Sequence, residues 1–350
     1  MSRVAIVILN WNGEDFLKKF LPSLIENTPE TYAEIIVADN ASTDNSLRFL
    51  KDNFPDIRCI ALDKNYGFAG GYNKALSQVE SEYYLLLNSD IEVTPNWLPP
   101  LVKSMDNDRN LASCSPVLLD YNRREKYEYA GAAGGYIDKL GYTFCRGRIF
   151  NTMENADLKL KESMEVFWTT GACMLVRAEY FIKEGGFDPY FFAHMEEVDL
   201  CWRFKNAGYK LVIIPNSKVF HVGGGTLPKS NPLKTYLNFR NNLLLLYKNH
   251  PDKRLNIKIF VRMLMDGLSA LLFLLSLKFN DIHAIIRAHR DFRKKKKDYN
   301  KFRSEAKEKH KHPSHKEIYR RSVVIDYFLL GNKTFNKLRG SFGLKMNTNQ

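Results

Sequence analysis

Four short apolar runs rich in β-branched residues, Val4–Leu9, Ile35–Ala38, Ile57–Leu62 and Tyr83–Leu87, alternate with segments of helical spacing. The first such segment repeats apolar residues at Phe16, Leu17, Phe20, Leu21, Leu24 and Ile25, and the second at Leu47, Phe49 and Leu50. Strands that alternate with helices are joined by crossovers, so this pattern predicts a mostly parallel sheet with helices on both faces. Two later runs, Cys173–Val176 and Leu211–Ile214, extend the strand count. The fold class is therefore α/β.

Ligands of such sheets bind at the carboxyl ends of the strands. The residues that follow the four runs are Asn10-Trp11-Asn12-Gly13, Asp39-Asn40-Ala41-Ser42-Thr43-Asp44, Lys64-Asn65-Tyr66-Gly67 and Asn88-Ser89-Asp90. Asn, Asp and Ser also make ordinary turns and helix caps. Four strand ends on one sheet edge that all carry Asn or Asp point instead to a polar ligand site, since turn chemistry alone would mix in Pro, Lys and Glu.

The net charge of +13 is unevenly spread, because Asp281–Arg321 holds fifteen Lys/Arg against six Asp/Glu, including Lys294-Lys295-Lys296-Lys297. The rest of the chain is close to balanced, which removes most of the case for a nucleic-acid-binding protein. Five scattered cysteines without a C-x-x-C pair argue against a disulfide framework or a structural zinc site and suit a reducing compartment. The six-residue run Val4–Leu9 is too short for a secretion signal and reads as a buried first strand. Residues from about Tyr236 to Lys278 read as helical and apolar, followed by the basic stretch. The expected organisation is a domain over 1–235, with halves 1–92 and 93–235, and a helical, basic extension over 236–350.

The segments VAIVILNWNG, IIVADNASTD, NYGFAGGYN and LLLNSD, followed by TGACMLVR, GGFDPYFFAHMEEVDLCWR and HVGGG, together resemble an inverting family 2 glycosyltransferase with a GT-A fold. The rhamnosyltransferase-like branch is the most similar, and the resemblance covers roughly residues 3–245. It implies an enzyme that moves a sugar from a nucleotide-sugar donor, dTDP-rhamnose or a UDP-sugar, to a glycan or polyprenyl-linked acceptor, in cell-surface polysaccharide synthesis. It also implies a divalent cation, Mn²⁺ or Mg²⁺.

The resemblance assigns Asp39 to the pyrimidine base and places Asn10 and Asn12 beside base or ribose. Gly67-Phe68-Ala69-Gly70-Gly71 opens a helix, whose free N–H groups suit a diphosphate; Gly70 and the flanking Asn65 and Asn73 fall at nucleotide-contacting positions. Asp44 reads equally as a cap or a contact. Asn88-Ser89-Asp90 stands where the family carries its D-x-D metal motif, with Asn in place of the first Asp. Asp90 is then the expected ligand, with Glu92 a further candidate, and His221 resembles a late histidine that completes the metal site. In Glu196-Glu197-Val198-Asp199, adjacent carboxylates raise one another's pKa, as a general base requires, whereas a helix start lowers them again, so the net shift stays open and the acids read either as a base or as helix-start charges balancing the macrodipole. By position in the motif Glu197 matches the base, Glu196 comes second, and Asp199 joins the catalytic group in a supporting role beside Arg203. Thr170, Gly171 and Ala172 are expected at the donor sugar, and Trp168 and Trp202 are either stacking platforms or core.

Two other readings share the scaffold. A sugar nucleotidylyltransferase needs a Gly-rich, Arg-bearing loop after the first strand, where this chain has Asn-Trp-Asn-Gly. A non-catalytic nucleotide-sugar or carbohydrate binder on the same fold is the alternative, and Asp90 together with Glu196-Glu197 argues against it. In the tail, the run Leu268–Leu277 is too short to span a bilayer, and Arg262 and Asp266 interrupt its extension. It is expected to dip into a cytoplasmic membrane face, with the basic stretch on anionic headgroups, rather than to fold as a hairpin over the sheet.

Overall fold

The computed structural model describes residues 2–157, 160–223, 231–309, 315–338, 340 and 342. The first four runs form β1 (Val4–Asn10), β2 (Ala33–Asp39), β3 (Arg58–Ala61) and β4 (Tyr83–Asn88), joined through α1 (Glu14–Glu26), α2 (Ser46–Asn53) and α3 (Gly67–Leu76). All four are parallel neighbours, and their register sets Asn10 beside Asp39 and Leu9 beside Asn88. The polar strand ends thus meet on one edge.

The short β5 (Ile91–Val93) leads through α4 (Leu98–Asn107) into β6 (Leu111–Asp120). A small antiparallel set comes next, β7 (Gly135–Asp138), β8 (Thr143–Cys145), β9 (Arg148–Ile149) and β10 (Thr152–Met153), and then β11 (Met164–Glu165) and β12 (Cys173–Arg177). After α5 (Ala178–Lys183) and α6 (Glu196–Asn206), β13 (Lys210–His221) closes the large sheet, and β14 (Ile318–Tyr319) joins the small one. The large sheet runs β11-β13-β6-β12-β4-β1-β2-β3, with β5 on β13. Its β12 is antiparallel to both β4 and β6, so the sheet is mixed, with most strands in one direction. The small sheet runs β10-β9-β8-β7-β14.

One core lies between the large sheet and α1 and α4, where Leu17, Leu21, Trp97, Leu101 and Met105 bury against Ile6, Ile8 and Leu85. The other lies on the opposite face, from Ala69 and Tyr72 of α3 through Phe204 of α6 to Leu243–Leu246 of α7 (Pro232–Asn249). Two further helices, α8 (Leu255–Leu275) and α9 (Phe279–Lys295), pack on α7. The helix α8 therefore runs through Arg262 and Asp266 without a break. Both are buried on the inner side of α8: Arg262 stacks 3.3 Å over the Tyr142 ring and donates to the Leu140 carbonyl, and Asp266 pairs with His289 of α9 at 2.9 Å. They anchor the helix to the domain, and among the described residues no helix is long and apolar enough to span a membrane, as the two charges in the sequence led one to expect.

The turn before α6 is strained. Phe192, His194 and Met195 all take positive φ, at 64°, 69° and 73°, which costs on the order of 1–3 kcal/mol per residue. The buried Arg240 and Asn241 of α7 hold it. Arg240 donates to the carbonyls of Tyr190 and Phe191, and Asn241 Nδ2 lies 2.7 to 2.9 Å from the carbonyls of Phe191, Ala193 and His194. Opposite, Gly67 has φ +69°, and a Cβ there would stand 2.5 Å from the Phe192 ring and carbonyl, so only glycine fits.

Asn241→Ala would leave those buried carbonyls short of a donor, a loss of about 2–3 kcal/mol on the scale of unmade hydrogen bonds. Urea unfolding would read it directly. A loss under about 0.5 kcal/mol would mean that the turn holds itself without the clamp.

Candidate functional site

A cavity of about 340 Å³ opens at the carboxyl edge of the large sheet. Its wall brings together Asn88 and Asp90 after β4, Gly67 and Phe68 at the start of α3, Glu196 and Glu197 at the start of α6, and His221 at the end of β13. Gly171 lies between two of these groups: a Cβ on it would meet the Phe68 ring at 3.1 Å and Glu197 Cβ at 3.6 Å. A second cavity, of about 360 Å³, is lined by Arg203, Lys248, Asn249 and Phe302 and shares no residue with the first.

At one end of the first cavity three buried groups form a chain. Asp90 Oδ1 is 3.1 Å from His221 Nε2, and Glu128 Oε1 is 3.2 Å from His221 Nδ1. Asp90 Oδ2 also accepts from Gly223 N at 3.2 Å, and the Asn88 amide lies 3.5 Å from His221 Nε2. Burial disfavours charge on His221, but Glu128 and Asp90 outweigh it and push its pKa up to about 10. Burial likewise works against the Asp90 carboxylate, and the His221 charge holds it below the usual range.

The donor set fits a divalent cation. Two ligands about 2.1–2.2 Å from one ion and at right angles lie about 3 Å apart, as Asp90 Oδ1 and His221 Nε2 do. An ion there would take the place of the proton on Nε2. Among the described residues no group of three or more His, Cys, Asp or Glu forms a complete cage. Two protein ligands with phosphate and water in the remaining positions is the usual arrangement for Mg²⁺-like ions at phosphates. Glu92 does not contribute, since it pairs with Arg124 at 2.8 Å.

At the other end stand the α6 acids. Burial raises Glu196 well above the ordinary carboxyl range, and the adjacent Glu197 charge adds to the rise. Burial also raises Glu197, to about 7, against the lowering effect of backbone N–H groups at the helix start. The Oε2 atom of each has no hydrogen-bond partner. Asp199 differs. It is turned away from the cavity, where Arg203, Lys248 and Asn249 hold it at 2.8, 2.9 and 2.7 Å. Burial resists its charge, but Lys248 and Arg203 prevail and lower its pKa. Asp199 thus supports the helix from behind.

Several expected contacts line the cavity and others do not. Asn65, Asn88, Asp90, Gly171, Glu196, Glu197 and His221 do. Asn10 and Asp39 are buried beside it, bonded to each other at 3.0 Å, with Asp39 also accepting from Ser42 N. Asn12 accepts from Thr43 N, and Asp44 accepts from Glu14 N and Ser46 N, so it serves the chain rather than the cavity. Gly70 packs against Tyr66 within α3, and Asn73 ties α3 to the Phe187 backbone through two hydrogen bonds. Trp168 and Trp202 are core. The second and third glycines of HVGGG, Gly224 and Gly225, lie outside the described residues.

Sequence reasoning missed Glu128, His194 and the Arg240-Asn241 clamp. His194 lines the cavity with Nε2 unpartnered, and burial, with Lys234 nearby, lowers its pKa to about 4. The left-handed stretch that carries His194 has no signature, because none of its residues is glycine.

Comparison with known proteins bears on the family and the fold. The model of the family "Glycosyl transferase family 2" matches residues 5–184. An N-acetylglucosaminyl-diphospho-decaprenol L-rhamnosyltransferase of Mycobacterium tuberculosis is 26% identical over 234 residues, 62% of this chain and 75% of the relative. The rhamnosyltransferase WbbL of Escherichia coli K12 is 27% identical, over 62% of this chain and 83% of its own. The dTDP-rhamnosyl transferase RfbF of Shigella flexneri is 27% identical, over 73% and 84%. Among solved structures, GalNAc-T7 with UDP, GalNAc and Mn²⁺ aligns at a TM-score of 0.58 and 18% identity, over 71% of this chain and 48% of that one. A mannosyltransferase of Pyrobaculum calidifontis in complex with GDP-Man and Mn²⁺ aligns at 0.52 and 13%, over 83% and 86%. At these identities the structural likeness speaks for the GT-A-type fold alone. With a family match over half its length and these relatives, the chain belongs to glycosyltransferase family 2 and is a glycosyltransferase.

Proposed function

We propose that this glycosyltransferase moves a rhamnosyl or related sugar from a nucleoside-diphosphate donor to a lipid-linked or glycan acceptor, with inversion, in polysaccharide synthesis. The observation that carries the reading is one cavity with the Asp90–His221 pair at one end and Glu196-Glu197 at the other. The names of the rhamnosyltransferase relatives support the sugar class, and the first of them supports a polyprenyl-linked acceptor.

In this reading the donor diphosphate lies between the start of α3 and Asp90. Asp90 and His221 hold a divalent cation, which when bound neutralises the charge that develops on the departing diphosphate. The Asp90 carboxylate, with phosphate and water oxygens, suits Mg²⁺ or Mn²⁺. Gly171 leaves room for the donor sugar beside Glu197. Glu197 takes the proton from the acceptor hydroxyl as that oxygen attacks the anomeric carbon, and a carboxyl with a pKa of about 7 is suited to do so. Glu196, more strongly raised, stays protonated beside it and avoids a second charge.

The outer face of α8 fits an anionic membrane surface. Ile257, Phe260, Leu264, Leu268, Leu271 and Leu275 recur at helical spacing and are each more than half exposed. The neighbouring α9 ends in Arg293, Lys294 and Lys295, which supply the charge that complements acidic headgroups. Among the described residues no helix is long and apolar enough to cross a membrane.

Nucleoside diphosphate released from UDP-, dTDP- and GDP-sugars, with Mn²⁺ and with EDTA, tests the chemistry. One donor should turn over, EDTA should abolish turnover, and Glu197→Gln should lower kcat by about 10²- to 10⁴-fold with donor KM little changed. Because the base must be deprotonated, kcat should rise with pH through about 7 and level off above it. A flat profile between pH 5.5 and 8.5 would count against Glu197. Flotation with phosphatidylglycerol-containing vesicles tests the surface: wild type should float, and the double variant Leu268→Asp/Leu271→Asp should stay at the bottom. Failure of the wild type to float, or a dimer that the double variant disrupts, would overturn the membrane assignment.

A further inference from the structure

Glu128 belongs to none of the motifs that mark the site, yet it is buried, 3% exposed, beside His221. We propose that Glu128 is a positioning residue for the metal site: its carboxylate fixes the ring of His221 so that Nε2 presents a lone pair toward Asp90. The proposal rests on the reading of Asp90 and His221 as cation ligands.

The geometry around Glu128 is built to hold that carboxylate in one place. Its own N–H donates to the Leu118 carbonyl beside the end of β6, which runs parallel to the histidine-bearing β13. Oε2 accepts from Ala130 N. Oε1 faces His221 Nδ1 at 3.2 Å, close enough for an ion pair although not set as a full hydrogen bond. Behind it, Gly223 takes φ +72°, and a Cβ on that residue would stand 2.9 Å from Oε1. This explains why glycine stands two residues after the histidine, since only a bare backbone passes so close to the carboxylate.

An imidazole has two nitrogens, and the group beside one decides what the other can do. A carboxylate on Nδ1 keeps the proton there and leaves Nε2 free to bind an ion; it also makes Nε2 more basic. Without Glu128 the ring can rotate or carry its proton on Nε2, and the Asp90 side loses its second ligand. Glu128 also reaches the cavity wall by a second route. Ala130, whose N–H it holds, lines the cavity, and the Ala130 carbonyl accepts from Thr170 Oγ1 at 2.6 Å.

The test is Mn²⁺ binding by the full-length protein without donor, monitored by electron paramagnetic resonance, together with the ¹⁵N shifts of His221. Glu128→Ala is expected to weaken Mn²⁺ about 10- to 100-fold and to change the tautomer populations of His221. The isosteric Glu128→Gln guards against misfolding; it keeps an acceptor but not the charge, and is expected to lie between Ala and wild type in affinity with an unchanged melting temperature. Asp90→Ala is the control that should abolish binding. If Asp90→Ala loses Mn²⁺ while folded Glu128→Gln binds it as wild type does, the positioning role is wrong and the metal reading stands. If wild type takes up no Mn²⁺, both fall.

Discussion

The structure depends on keeping two adjacent carboxyl groups out of water at the start of α6. Each of Glu196 and Glu197 has an oxygen without a hydrogen-bond partner, a state that costs free energy unless the group stays protonated or meets a ligand. The chain holds them there by bending the preceding residues into a left-handed path and clamping that path from α7. The turn, the buried Arg240-Asn241 pair, Gly67 opposite Phe192 and the Asp199–Lys248–Arg203 cluster behind the helix all serve that placement. Strain stored this way is tolerated only where surrounding contacts over-determine it.

The same cavity holds two carboxyl environments of opposite tendency. Asp90 lies next to a cationic imidazole and stays ionised, whereas Glu197 is desolvated and has its pKa raised to about 7. Groups whose surroundings push their pKa values apart divide the work of acid, base and charge stabilisation. Here the division reflects the sheet. Asp90 comes from the turn after a central parallel strand, His221 from the end of the long strand β13, and the acids from a helix facing both.

Much of this was legible in the sequence, and the failures have physical causes. The apolar runs mark β1, β2 and β4 closely because strands buried on both faces are apolar almost throughout, whereas the edge strand β3 buries only Ile60; the polar residues after them fall on one edge because parallel strands end together. The run Leu211–Ile214 ends at Pro215, where the apolar pattern stops. The strand in fact continues to His221, because its register with β6 shifts between Ile214 and Lys218 and so accommodates a residue without an N–H. The direction of β12 was not legible, since antiparallel insertion between two parallel strands leaves no periodic mark. Glu128 and Asn241 were invisible for a related reason: their partners lie far along the chain, and only the fold brings them together.

The C-terminal helices are part of the site's construction. The family match ends at residue 184, so Asp90 and Gly171 of the cavity wall fall inside it and Glu196, Glu197 and His221 fall beyond it. The later part of the chain is held together by α7, which buries Leu243–Leu246 against the sheet-side core and extends Arg240 and Asn241 to the acidic turn. In turn α8 and α9 pack on α7, with Asp266 joined to His289 between them and Arg262 anchored on Tyr142 near the small sheet. A surface that engages α8 is therefore connected through packed helices to the turn that places Glu197. The outer face of α8 is apolar, whereas Arg262 and Asp266 lie buried with Leu255 and Ile259 on its inner face, so the helix turns both ion-pairing groups toward the domain and leaves an exposed apolar stripe.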